Sequence, residues 1–234
     1  VHAQSVEALF AQALERDMRI VAGKCLMDLH APVDLRDTAD GGVQASADLA
    51  ARWHGRGRLQ YAVTPRFAGT SSRRQLELAG GLARAQPGLY IQSHVAEDID
   101  EVRWIAELFP EARSYLDVYD RYGLLRVRAV YAHCIHLDAP DRARMAASGA
   151  LAAVCPTSNL FLGSGLFDFA AALDAGMALS LGTDVGGGQS FSMFSAMRSA
   201  HEIARLRGQS LSSLRLWHWA TLGAALALGW GGRV

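Results

Sequence analysis

Leu89-Tyr90-Ile91-Gln92-Ser93-His94-Val95-Ala96-Glu97, running directly into residues 98–109, decides how this chain folds. The apolar run 89–92 is short, as a buried strand usually is. A histidine follows it. Residues 98–109 then place Ile99, Val102, Ile105 and Leu108 on one stripe at helical spacing, with acids in the first turn and Pro110 as the stop. Strand, polar tip, helix: this is one β-α unit, read in a single stretch.

The same order recurs on both sides. Short apolar runs at 18–23 and 59–63 precede it, and others at 129–132, 150–154 and 178–181 follow, each bounded by Gly, Pro or polar residues. Residues 6–17 have a helical stripe of Val6, Leu9, Phe10, Ala13 and Leu14. Helices are also expected at 192–206, stopped by Gly208, and at 214–228, stopped by Gly229. The polar gap 31–58, with Asp37, Asp40, Gly41 and Gly42, is expected to hold a loop and a helix carrying Leu49 and Trp53. Alternating strands and helices imply an α/β fold with a parallel sheet covered by helices. An open doubly wound sheet and a (β/α)8 barrel both satisfy the pattern, and six strands are two short of a closed barrel. No repeat, low-complexity tract or linker divides residues 1–234, so one domain is expected.

Bulk composition narrows the partners. Half of the 234 residues are apolar and the formal charge is zero, which gives no general attraction to nucleic acid or to an anionic membrane. No stretch reaches the roughly 20 apolar residues that span a bilayer. Cys25, Cys134 and Cys155 are widely spaced in apolar runs with no CxxC pair, so they read as reduced thiols of a cytoplasmic protein.

The strand tips favour the barrel, where reactive groups gather at the C-terminal ends of several strands. Arg66, His94, His133 and Asp184 each follow such a run, and the run 150–154 ends in Pro156-Thr157-Ser158-Asn159. One histidine at a strand tip is ordinarily structural; four tips behaving alike point to a site. His and Asp together suit a divalent metal such as zinc. Glu97, at the start of the acidic helix, would ordinarily be a dipole partner, yet beside a metal ligand it can move a proton. Gly186-Gly187-Gly188 matches no phosphate or dinucleotide loop and reads as a tight turn that lets the backbone pass close to the site. His136 should point away from it.

Thr64-Pro65-Arg66-Phe67, Gln92-Ser93-His94-Val95-Ala96-Glu97, Tyr131-Ala132-His133-Cys134, Pro156-Thr157-Ser158-Asn159 and Gly182-Thr183-Asp184 resemble, in this order, guanine deaminases of the amidohydrolase superfamily. Gly23-Lys24, Leu35-Arg36-Asp37-Thr38 and Ser114-Tyr115-Leu116-Asp117-Val118-Tyr119 narrow the resemblance to guanine deaminase. It implies hydrolytic deamination of guanine to xanthine and ammonia by a zinc-activated water, a step of purine catabolism. His94 and Asp184 would be zinc ligands. Glu97, His133 and Asp184 would be catalytic: Glu97 protonates the purine ring, Asp184 takes the water proton, and His133 contacts substrate or water. Arg66 would hydrogen-bond guanine and Phe67 pack on its face, with His94, Glu97, His133 and Asp184 lining the same substrate. The family fold is a (β/α)8 barrel with a small β-sandwich, and its members are usually homodimers.

The chain departs from that pattern in one way. The family's other two zinc ligands form a His-x-His motif on the first barrel strand, and no His-x-His occurs here. The six runs therefore correspond to barrel strands 3 to 8. The expectation is a partial TIM-type barrel without the sandwich, truncated at both ends, with half of the metal site and little activity alone. Two alternatives stand beside it: another ring deaminase or chlorohydrolase of the superfamily, or a non-catalytic barrel-like binding protein.

Overall fold

Strand β3, Leu59–Pro65, organises the first half of the chain in the computed structural model, which describes residues 2–231. It is buried along almost its whole length, as a strand covered on both faces must be. Strands β1 (Ile20–Ala22) and β2 (Cys25–Leu26) pair with it in parallel, and so does β4 (Tyr90–Val95). The run 18–23, expected as one strand, is thus the first of two pieces in a single register. The break falls at Gly23, where any Cβ would collide with the Ala62 carbonyl oxygen.

Helices Ala3–Glu15 and Ala39–Trp53 belong with these strands, and Phe10 stacks on Trp53 with ring centroids 5.8 Å apart. Helix Arg73–Ala85 starts at Ser72, whose side chain accepts from the Gln75 N–H. By its contacts the chain divides into two units, residues 2–93 with 118–124, and residues 94–117 with 125–231. In the first unit the core is aromatic: Phe10, Tyr61, Tyr90 and Tyr119 are fully buried.

The second unit holds β5 (Ala129–His133), β6 (Leu151–Val154) and β7 (Ala178–Leu181), parallel in that order. The end of β4 also lies in this unit, and the Cys134 N–H donates to the Val95 carbonyl at 3.0 Å. Helix Ile99–Leu108 has a full capping box on Asp98, but Ile99 is exposed and only Ile105 of its stripe is fully buried. The helix expected over 214–228 is two, Ser213–Ala220 and Leu222–Ala227, broken at Thr221. A Cβ at Gly223 would sit 2.6 Å from the His218 ring, so the second piece packs too closely on the first to continue it. Among the described residues no helix is long and apolar enough to cross a membrane. The α/β class and the parallel pairing are as the sequence implies.

Candidate functional site

Three strand ends of the second unit meet at His133. This residue closes β5 and is 1 % exposed, with φ 70°, and Cys134 follows at φ 56°. Two successive left-handed residues turn the chain sharply as it leaves the sheet. The turn is held from the end of β4. Ala96, itself at φ 49°, presents its carbonyl to the N–H groups of both Ile135 and His136 at 3.0 Å. The result sets the His94 and His133 rings face to face, with centroids 5.5 Å apart.

Around the His133 ring the polar groups are ordered. Nδ1 lies 2.9 Å from Oδ1 of Asn159. Nε2 lies 3.4 Å from a Glu97 carboxylate oxygen and 4.0 Å from one of Asp184. Glu97 is steadied on its far oxygen by the Ser164 hydroxyl at 3.3 Å, and its own N–H donates to Glu101. Asp184 follows β7 at φ 48°, and the turn Gly186-Gly187-Gly188 closes on it. The Gly188 N–H donates to the Asp184 carbonyl at 2.6 Å. A Cβ at Gly188 would collide with the Thr183 carbonyl, and one at Gly187 would lie 2.6 Å from the Ser158 hydroxyl and 3.1 Å from the Asp184 carboxylate. At Gly188 backbone packs against backbone, at Gly187 side chains close in, and Gly186 is called for by its φ of 122°.

Cys155 completes a cluster. One donor atom from each of His133, Cys155 and Asp184 falls within 4.8 Å of the others. Burial pushes the Cys155 thiol up to about 12, with the negative charge of Asp184 adding to it. Its Sγ donates to the Ala153 carbonyl, so it stands as a protonated thiol beside the cluster. Burial raises the Cys134 thiol as well. Imidazole nitrogen and carboxylate oxygen converging on one partly buried point are the donor types zinc takes, so the residues present fit that ion.

His94, Glu97, His133 and Asp184 are therefore brought together in the second unit. Arg66 and Phe67 lie in the first, just past the end of β3, with the guanidinium 5.2 Å from the centre of the Phe67 ring. His136 is turned aside, its Nε2 2.8 Å from the Ser164 carbonyl. Asn159 and Ser164 carried no role in the sequence reading. Asn159 stood in the Pro156–Asn159 tip, which could have suggested one; Ser164 gave no signal.

The Amidohydrolase family profile matches residues 1–234, and the chain belongs to that family. Among its curated relatives, guanine deaminase of Escherichia coli (strain K12) is 43 % identical over 229 residues, 98 % of this chain and 52 % of that protein. A solved structure of E. coli guanine deaminase superposes with a TM-score of 0.97 at 42 % identity, over 99 % of this chain and 54 % of that one. Guanine deaminase from C. acetobutylicum, solved with guanine bound in its active site, gives 0.94 at 25 % identity, over 97 % and 56 %. The chain spans about half the length of the relatives it matches. Its parallel α/β architecture is consistent with part of the amidohydrolase TIM-type barrel.

Proposed function

We propose that the chain carries guanine deaminase chemistry, the hydrolytic deamination of guanine to xanthine and ammonia. The observation that carries this is the ring of His94, Glu97 and Asp184 around His133 at three strand ends, and the likeness to guanine deaminases supports the choice of purine.

His94 and Asp184 are the residues that would hold zinc. A zinc ion at such a site supplies Lewis acidity that makes water acidic enough to act near neutral pH. Asp184, a third exposed, is placed to accept a proton at its carboxylate. Glu97, less than a quarter exposed and held by Ser164, is placed to deliver a proton to a ring nitrogen, so that negative charge does not build up on the purine. His133 lies between the two carboxylates and orients what binds there. Arg66 offers paired N–H donors to a polar purine edge, and Phe67 offers a flat apolar face. Residues 1–234 are read as part of one barrel domain, supported by the unbroken family match. A homodimer in the whole protein is supported by Phe194, Leu214 and Trp217, large apolar side chains left exposed. A cytoplasmic location is supported by three free cysteines.

The test titrates zinc and then guanine into the chain and reads binding, because the chain has no His-x-His pair and little turnover is expected of it alone. We expect Asp184→Asn to abolish zinc uptake, and guanine to be chosen over adenine and triazines. Zinc uptake indifferent to Asp184, or preference for a different ring, would overturn the reading.

A further inference from the structure

The Asn159 side chain is buried, 1 % exposed, and its amide makes one hydrogen bond among the described residues, to His133; its Nδ2 has no partner. A buried amide kept for one contact points to what that contact does. We propose that Asn159 is a positioning residue that fixes the tautomer of His133, keeping the hydrogen on Nδ1 and the lone pair on Nε2.

Two pulls act on the ring. The carboxylates of Glu97 and Asp184 favour a hydrogen on Nε2, and the Asn159 carbonyl oxygen, which only accepts, favours one on Nδ1. Distance decides between them. The Nδ1···Oδ1 separation of 2.9 Å is that of a full hydrogen bond, whereas 3.4 Å and 4.0 Å at Nε2 lie beyond the ordinary range for N–H···O. Turning the amide over would bring Nδ2 to Nδ1, force the hydrogen onto Nε2, and leave Oδ1 in the place where Nδ2 now finds no partner. The other groups facing the ring are the His94 imidazole, stacked on it, and the Cys155 thiol, which shares the cluster with it.

The second-nitrogen partner of an imidazole sets which nitrogen acts. With its lone pair on Nε2, His133 faces the two carboxylates as an acceptor, able to take a hydrogen bond from a water or substrate donor held there. That consequence rests on the deaminase reading; the tautomer itself does not.

The test is side-chain nitrogen NMR of the 15N-labelled chain, without substrate, at a pH well above the ordinary histidine range. The His133 signals are assigned by their loss in His133→Gln. We expect a hydrogen-bearing Nδ1 and a bare Nε2 in the native chain. Asn159→Asp keeps the acceptor and should keep the pattern; Asn159→Leu should lose the Nδ1 hydrogen. A bare Nδ1 in the native chain, or a pattern unchanged in Asn159→Leu, would overturn the proposal. Should Asn159→Leu fail to fold, the native chain and Asn159→Asp still decide it. A chain that ignores guanine but shows the expected tautomer would sink the deaminase reading and leave this one standing.

Discussion

Removing Asp37 alone from the Lys24–Asp37 pair should destabilise the first unit far more than removing both members. Lys24 is 4 % exposed, and its ammonium group contacts the Asp37 carboxylate and donates to the Cys25 carbonyl at 3.3 Å. The Asp37 side chain is 21 % exposed. Asp37→Leu leaves a buried ammonium with one neutral acceptor, and losing one side of a buried pair costs about 3–5 kcal/mol. Lys24→Met leaves a carboxylate that water can reach, so its cost is that of an unsatisfied polar group, about 1–3 kcal/mol. The double variant Lys24→Met/Asp37→Leu carries no buried charge and should fall within about 1–2 kcal/mol of the native chain. The cycle therefore closes with a coupling of about 2 kcal/mol or more. Urea unfolding followed by tryptophan fluorescence, to which Trp53 contributes from the helix Ala39–Trp53 that Asp37 leads into, measures all four. Singles that each cost under about 1 kcal/mol and add up in the double would refute the reasoning.

Three further outcomes follow from the same geometry. Tyr61→Phe strips the acceptor from the Lys24 N–H at 3.0 Å and the partner from Ser46 at 2.9 Å; it should cost about 2–4 kcal/mol in the same assay, part of it recovered by adding Ser46→Ala. Gly188→Ala should cost about 1–3 kcal/mol through overpacking and weaken zinc uptake, while Gly81→Ala, with open space around it, should do neither; equal behaviour of the two would exclude the cradle. The Arg113 hydrogen bond holds the Asp138 carboxyl below the usual carboxylate range, so its contribution is complete above the unfolded value and is lost as pH falls through the folded one. Burial raises Asp141, whose contribution runs the other way, lost as pH rises through its folded value. Asp138→Asn should consequently flatten the fall of the urea midpoint from about pH 5 to about pH 2, and parallel curves would contradict the assignment.

The tips of the strands were legible because each apolar run is short and ends in a residue with different chemistry. His94, His133 and Asp184 needed no tertiary knowledge to be found. The break at Gly23 was not legible, since it comes from the approach of Gly23 to the Ala62 carbonyl, a contact across strands. The helix over 214–228 read as one because its apolar spacing is the same whether the backbone bends at Thr221 or not. Pairing Gly23-Lys24 with Leu35-Arg36-Asp37-Thr38 was a matter of resemblance alone; the structure supplies the reason, an ion pair followed by a Thr38 helix cap. Asn159 was in view but mute, because its meaning lies in the ring it touches.

Of the seven non-glycine residues with positive φ among those described, four belong to the site: Ala96, His133, Cys134 and Asp184. Such a conformation costs roughly 1–2 kcal/mol per residue, so about 4–8 kcal/mol is held here, comparable with the roughly 5–15 kcal/mol net stability of a typical domain. Glycine would relieve it, yet at His133 and Asp184 glycine would also delete the side chain. Ala96 is the position where the two demands separate, because its side chain contributes only a buried methyl. Ala96→Gly should relieve about 1–2 kcal/mol of strain while losing about 0.8 kcal/mol of methyl burial and about 0.5–1 kcal/mol through the freer unfolded chain. These terms nearly cancel, and the variant should unfold within about 1 kcal/mol of the native chain, where an unstrained buried alanine would lose more. A loss of about 1.3 kcal/mol or more, the sum of the two costs with no strain relieved, would mean that Ala96 is not strained, and that the sharp exit from β4 is set by the hydrogen bonds from Ile135 and His136 without backbone cost.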